Sequence, residues 1–374
     1  MNKGLDVICL GAINYDYMFH CKAEDIELDQ DGDENLGNTI EEVEADIDEL
    51  LQKRREYSTQ IGGSAFITLK VVKHILPDLK VAYVGVCGEP NGFDHRFGKS
   101  NNIEAELAHL DDREYLFTTK ERFDTPYNRS VGKSVVRLYN HTRNCIKITA
   151  CANSTIRERI EEKEAAGGNF VEYLSQAKWI HFSSLSDFYQ FEANMKAAIE
   201  AKKLNPNIKI SLDPGFEFTS KRQEELRPLV QYVDYIFLNK AEKNNLGKNE
   251  EGARELYQNL CDFFAGENEN PAITLIIKYD DRHEVINFED RKAKIQTIRH
   301  TKLYNYQLNN DTGAGDSLAG GFIAGMMDER VEGIEGAIQI GVLAAKGRMT
   351  SFDYENPYLN IQKLTDEHFA NMNK

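Results

Sequence analysis

The chain has no C-x-x-C pair, no H-E-x-x-H, no G-x-G-x-x-G after its first strand-like run, and no apolar stretch long enough to cross a bilayer. Each absence removes a class of function. Without the cysteine or histidine spacings there is no zinc or thiol-redox motif. Without the glycine fingerprint a dinucleotide fold is not indicated. Without a span of about 20 apolar residues there is no transmembrane helix. The start, M-N-K-G-L-D-V-I-C-L-G, has too short an apolar run for a signal peptide. The six scattered cysteines read as small core residues in a reducing compartment, so a cytoplasmic protein is expected. The N-x-S/T triplets at Asn128, Asn140 and Asn153 then carry little weight. Positive charge is also short: 45 Lys and Arg stand against 61 Asp and Glu. The net charge of −16 argues against a nucleic-acid or anionic-membrane surface, which needs a basic footprint. An anionic small substrate remains compatible, because it needs only a local positive site.

What is present is an ordinary globular composition, 41% hydrophobic and 28% charged, in 374 residues. Short apolar runs at Val7–Leu10, Val81–Val86, Trp179–Phe182, Ile208–Leu212, Tyr235–Leu238 and Ile273–Ile277 predict strands. Amphipathic stretches at Phe66–Leu76, Phe191–Lys203 and Glu255–Phe264 predict helices between them. The alternation points to an α/β fold with a mostly parallel sheet and helices on both faces, which binds ligands beyond the strands' carboxyl ends. Two regions break the rhythm. Residues 113–149, rich in Tyr, Thr, Val and Arg, read as a few antiparallel strands. Residues 24–49 are strongly acidic: the first part reads as an exposed loop, the second as a surface helix. Thr39 and Glu42 fit a capping box there, ahead of an apolar stripe of Ile40, Val43, Ile47, Leu50 and Leu51.

Two segments imitate a phosphate-binding P-loop, Gly92–Ser100 and Gly132–Ser134. Both lack its spacing of Gly, four residues, then G-K-S/T, and are set aside. The segment N-N-D-T-G-A-G-D-S-L-A-G-G, 309–321, is different. Gly313, Ala314 and Gly315 let a ligand approach the backbone, and the following residues read as a helix. Unpaired N–H groups at a helix start are a ready anion site. Asp316 at that end could take the proton of an acceptor hydroxyl during phosphoryl transfer. On residue types alone this reading stands level with a plain one, in which Asp caps the helix and the glycines serve packing.

The wider pattern resembles the ribokinase-like (PfkB) carbohydrate and nucleoside kinases, whose signature D-T-x-G-A-G-D opens a helix. The order of motifs agrees along most of the chain: L-G-A-I-N-Y-D, I-G-G-S-A-F-I-T-L, V-A-Y-V-G-V-C-G, C-A-N-S-T-I, L-D-P-G, F-L-N-K-A-E and G-A-G-D. The resemblance implies a single ribokinase-like domain over residues 1–374, a three-layer α/β/α fold with a mostly parallel central sheet. A small β-lid would come from roughly 17–60 and 111–150. It implies an ATP-dependent kinase acting on a hydroxyl of a sugar or sugar-like molecule, with a nucleoside kinase and a catalytically degenerate binding protein as alternatives. It assigns Asp316 as general base and Gly313, Ala314 and Gly315 as the anion hole. Asn14, Asp16, Gly62 and Gly63 would meet substrate. Asn239 and Glu242 would organise Mg²⁺ and phosphate, Glu242 reaching the metal through water. Lys278 either reaches the ATP phosphates or lies at the surface. A homodimer through the lid is the assembly that relatives suggest.

The chain also departs from the family. Asn310 and Asp311 stand where the family has Asp and Thr. That Asp helps to hold a monovalent cation in some members, so cation activation is left open. Ile67 replaces a usual Asn, and Lys278-Tyr279-Asp280 stands in for the nucleotide loop T-x-G. Arg137 and Arg143 are read as solvent-facing.

Overall fold

In the computed structural model the runs of Val, Ile, Leu and Phe become strands, because such side chains fit a pleated surface buried on both faces. The structure describes residues 4–26, 33–35, 38–97, 103–118, 126–140, 142–183, 188–248, 252–265, 273–279, 281–290, 292–300, 310–351, 356 and 358–372. Asn309 and Asp280 fall outside these. Contacts divide the chain into two units, residues 8–168 with 307–374, and residues 1–7 with 169–306.

The first unit contains β1 (Leu5–Leu10, whose first half belongs to the second unit), β2 (Asn14–His20), β3 (Asp33–Asn35), β4 (Tyr57–Gly62), β5 (Val81–Cys87), β6 (Leu116–Thr118), β7 (Gly132–Tyr139) and β8 (Thr142–Thr149). Strand β5 lies between β1 and β6. A separate five-stranded sheet has the order β3-β8-β7-β2-β4. Strand β2 is antiparallel to β4 and parallel to β7, and β7 and β8 form a hairpin that turns at Asn140 with φ 50°.

The region 113–149 is therefore not uniform. Its β6 pairs in parallel with β5, while β7 and β8 pair antiparallel. Residues 33–35 correct the loop reading, since they pair in parallel with β8. A three-residue polar edge strand has no hydrophobic period to reveal it. The Ile40–Gln52 helix starts with the expected box: Glu42 N–H donates to Thr39 Oγ1 at 3.2 Å, and Thr39 N–H to Glu42 Oε2 at 2.8 Å. Val43, Ile47 and Leu50 are fully buried, and the helix packs on β7 and β8. That packing overturns the solvent-facing reading of Arg137. Its guanidinium pairs with the Asp46 carboxylate of this helix and donates to the Asp25 carbonyl. Arg143 is half-buried too, and its backbone N–H donates to Asp311 Oδ1 at 2.8 Å.

Helices Ser64–Ile75, Ala314–Met327, Gly333–Met349 and Tyr358–Met372 share a core of Val71, Ile75, Ala324, Ile340, Ala344 and Ile361. The plain reading of the glycines holds inside the second of these. A side chain on Gly321 would meet the Gly341 backbone at 2.7 Å, so both helices need the bare backbone there.

The second unit adds β9 (Ala177–Ser183), β10 (Lys209–Asp213), β11 (Tyr235–Asn239), β12 (Thr274–Lys278), β13 (Arg282–Glu289) and β14 (Lys292–Arg299). Their order is β14-β13-β12-β11-β10-β9, with β1 beyond β9. Strands β9 to β12 run parallel, each at the expected place within one or two residues, while β13 and β14 are antiparallel. That hairpin was not anticipated from sequence, because charged residues dilute its alternation.

Across β9 and β10, Ser211 Oγ accepts from Trp179 Nε1 and hydrogen-bonds His181 Nδ1, both at 2.8 Å. Burial pushes His181 down to about 4 from 6.5, with the Lys278 ammonium adding to the shift and Asp213 opposing it. A depressed histidine contributes stability above pH 6.5 that is lost as pH falls toward 4. The effect is on the order of 3 kcal/mol for this residue. Urea unfolding between pH 7 and 4 should show that loss, smaller in His181→Gln; equal pH dependence in both proteins would refute it.

Candidate functional site

Period two places Asn14 and Asp16 on one face of β2. The register then brings small and polar partners to either side. Asn14 faces Gly62 on β4 and Gly132 on β7, and Asp16 faces Gln60 and Ser134. Gln60 Nε2 donates to Asp16 Oδ2 at 3.1 Å and Ser134 Oγ to Asp16 Oδ1 at 2.7 Å. Both glycines make room. A Cβ on Gly62 would overlap the Asp16 carboxylate, and one on Gly132 would overlap the Asn14 and Asn153 amides. Asn153 fixes the strand's start: it exchanges hydrogen bonds with the Ile13 backbone at 3.0 Å and donates to Asn14 Oδ1 at 3.0 Å. Burial raises the Asp16 carboxyl above its ordinary 3.8, against the lowering effects of Ser134, Gln60, Arg348 and Lys70. A buried carboxylate held in place by neutral donors is suited to accept hydroxyls of a polyol. Gly62→Ala should push that carboxylate off its Gln60 and Ser134 partners: we expect a stability loss of about 1–3 kcal/mol, measured by urea unfolding, and an unchanged midpoint would show that the crowding does not matter.

Gly63 follows with φ 104°, a conformation glycine adopts without strain, and opens the Ser64–Ile75 helix. Ile67 is buried in that helix and offers only hydrocarbon. Thr68 Oγ1 donates to the Asp316 carbonyl at 3.1 Å, so this helix also fixes the start of the Ala314–Met327 helix.

The glycine loop enters that helix through Gly313, which is left-handed at φ 80°. Ala314 N–H closes onto the Asp311 carbonyl at 3.0 Å. Gly315 and Asp316 occupy the first turn of that helix. Asp316 is half-buried at this end. The loop is buttressed from behind. Arg348, in the last turn of the Gly333–Met349 helix, donates from Nε to the Thr312 carbonyl at 3.2 Å and from Nη2 to Gln60 Oε1 at 2.5 Å. A continuous chain of hydrogen bonds thus runs from Asp16 through Gln60 and Arg348 to the residue before Gly313. The structure brings Asn14, Asp16, Gly62, Gly63 and the loop Gly313–Asp316 into this one unit.

In the other unit, Asn239, Glu242 and Lys278 come together at the carboxyl ends of β11 and β12, where Asn239 and Lys278 are register partners. Asn239 and Glu242 form a capping box: Asn239 N–H donates to Glu242 Oε2 at 2.7 Å and Glu242 N–H to Asn239 Oδ1 at 2.8 Å. Their spacing therefore has a local structural role. Lys278 Nζ pairs with Asp213 Oδ2 at 2.9 Å, so it is a half-buried ion pair and not a free surface lysine.

Of these three residues only Glu242 carries a carboxylate, and its Oε2 already accepts from Asn239 N–H. Among the described residues no group of three or more His, Cys, Asp or Glu could hold a metal. Glu242 supplies one carboxylate, the arrangement expected where phosphate and water provide the remaining ligands of Mg²⁺. Among the described residues, the oxygens at the glycine loop that a monovalent cation would use already accept hydrogen bonds. Asn310 is uncharged, and its Oδ1 accepts from Thr312 N–H at 2.8 Å while Nδ2 lies 3.1 Å from Met18 Sδ. Asp311 caps β8 at Arg143, and Arg348 takes the Thr312 carbonyl.

The sequence reading assigned no role to Gln60, Ser134, Asn153 or Arg348. Gln60 lies two residues before Gly62 in a strand, which places it on the same face, so period two could have found it. Ser134 was dismissed with G-K-S; its Gly132 and Ser134 serve β2 instead. Lys133 points to the opposite face and pairs with Asp94 at 2.9 Å. Arg348 left no local signal.

Residues 130–357 match the pfkB family of carbohydrate kinases. Adenosine kinase of Schizosaccharomyces pombe is 21% identical over 288 residues, 76% of this chain and 78% of that protein. A nucleoside kinase of Methanocaldococcus jannaschii is 29% identical over 164 residues, 43% of this chain and 48% of that protein. Among solved structures, adenosine kinase from Schistosoma mansoni with 2-fluoroadenosine superposes with a TM-score of 0.68 at 18% identity, covering 92% of this chain and 95% of that one. Ribokinase from Giardia lamblia does so at 0.67 and 13%, covering 97% and 99%.

Proposed function

The chain belongs to the pfkB family of carbohydrate kinases, ATP-dependent phosphotransferases acting on hydroxyl groups, and from that premise we propose that it phosphorylates the hydroxymethyl group of a sugar or sugar-like small molecule. One observation carries this reading. The Asp16 carboxylate and the loop ahead of Asp316 are tied by a single hydrogen-bonded chain through Gln60 and Arg348, so the group that would hold acceptor hydroxyls is fixed relative to the group that would deprotonate one.

In this mechanism Asp16 and Asn14 bind ring hydroxyls, and Gly62 and Gly63 let the acceptor lie against backbone. Asp316 accepts the proton of the reacting hydroxyl as the phosphoryl group arrives. Backbone N–H groups at the Gly313–Asp316 helix start stabilise charge on the transferred oxygens, except Ala314 N–H, which is held by the Asp311 carbonyl. Asn239, Glu242 and Lys278 position the nucleotide's phosphates, Glu242 through metal-bound water and Lys278 by exchanging Asp213 for phosphate. Mg²⁺, when bound, neutralises phosphate charge. The five-stranded sheet is the lid of this reading, excluding water that would otherwise hydrolyse ATP, and its strands are the surface for a homodimer. A single kinase domain over 1–374 accommodates both units. Among the described residues no helix is long and apolar enough to cross a membrane, and small-molecule substrates suit a cytoplasmic enzyme.

A nucleoside acceptor is the second reading, favoured by the adenosine kinase that matches 76% of the chain. ADP release with Mg-ATP against sugars, sugar phosphates and nucleosides decides between them. Turnover with free sugars above nucleosides supports the first, and the reverse order the second. ATP binding with no turnover on either class would count against both.

A further inference from the structure

Arg348 is buried, with 6% of its surface exposed, and its Nη1 has no hydrogen-bond partner among the described residues. Among the described residues its hydrogen-bond partners are neutral, the Thr312 carbonyl and the Gln60 amide, while it acts on the Asp16 carboxylate only through space. The Tyr358 ring lies 5.9 Å from its Cζ. A buried guanidinium normally pairs with a carboxylate, and this one instead underlies a glycine turn. A Cβ on Gly313 would stand 3.2 Å from Arg348 Nε and 3.3 Å from Nη2, which places the charge directly behind the loop. Lysine would not serve as well, because the planar fork reaches the Thr312 carbonyl and Gln60 at once.

We propose that the Arg348 guanidinium is a fixed positive charge built under the Thr312–Gly313 turn, strengthening the anion cradle in place of a bound monovalent cation. Three features support it. The Thr312 carbonyl, a ligand such a cation could use, is taken. The loop's Asn310 is uncharged and already engaged. The charge is held within the same chain of hydrogen bonds as Asp16, so loop and acceptor carboxylate are positioned together. Arg348 acts through the loop and is a positioning residue. The proposal rests on the phosphate-cradle reading of Gly313–Asp316.

Two measurements test it. Inorganic phosphate is titrated into the nucleotide-free protein while the Gly313 and Gly315 amide ¹⁵N shifts are followed. Arg348→Met should weaken phosphate binding about tenfold, the size of a lost charge-assisted contact. Arg348→Lys should retain part of it, and millimolar guanidinium chloride should restore it in Arg348→Met. Equal phosphate affinity in wild type and Arg348→Met overturns the proposal, as does wild type that binds no phosphate at these glycines. The second measurement is turnover with potassium, sodium or tetramethylammonium as sole monovalent cation. Wild type should vary less than about twofold, whereas kcat of Arg348→Met should fall about 10–100-fold with KM for acceptor little changed. Wild type that needs potassium overturns the proposal. Absence of turnover on every acceptor, with the phosphate result as expected, would sink the kinase reading and leave the Arg348 assignment standing.

Discussion

Asp316→Asn is expected to lower kcat by about 10²–10⁴, the usual contribution of a positioned general base. The substitution keeps the side chain's shape at the start of the Ala314–Met327 helix and removes its ability to take a proton. KM for the acceptor should change little, because Asp16 and Asn14 hold the ring in the proposed mechanism. Folding should be nearly unaffected: an acid in a helix's first turn contributes only about 0.3–1 kcal/mol. Loss of the negative charge should tighten inorganic phosphate at Gly313 and Gly315. Steady-state ADP release, thermal melting and the phosphate titration together separate chemistry from folding. A kcat within tenfold of wild type would remove Asp316 from the role of base.

Asp16→Asn should give the second large effect, in kcat/KM for the acceptor. Two hydroxyls held by a carboxylate contribute about 1.5–3 kcal/mol each, so the loss should be about 10²–10⁴. Stability should move the other way. Burial raises the Asp16 carboxyl above 3.8 in the folded chain, so the fold holds its proton more tightly than the unfolded chain does. The stability this contributes is present below pH 3.8 and lost as pH rises through the folded value. Asp16→Asn removes that loss, and its melting temperature relative to wild type should therefore be higher at pH 8 than at pH 4. A variant that loses ground against wild type between pH 4 and pH 8 would contradict this, and intact kcat/KM would take Asp16 out of the acceptor site.

Much of the scaffold was legible before any coordinates. The strands at Val81–Val86 and Tyr235–Leu238 and the box at Thr39–Glu42 are local: their apolar runs and caps sit within a few residues, where propensity and period act. The β13–β14 hairpin and the short β3 were not, since charged residues blur one and three residues cannot show a period. Arg137 was misplaced because its partner, Asp46, lies 91 positions away on a helix whose docking surface only folding defines.

The site divides along the same line. The sequence by itself determined the G-A-G-D helix start, the Asn14–Asp16 pair on one face of a strand and the Asn239–Glu242 spacing, since each is written within a single turn or strand. Tertiary structure alone decided that Gly132 and Ser134 belong beside Asn14 and Asp16, that Lys278 pairs with Asp213, and that Arg348 stands behind Gly313. Those contacts join residues 35 to 118 positions apart, and no period or cap encodes them. They depend on strand register and helix docking, and both are set by burial of the whole core.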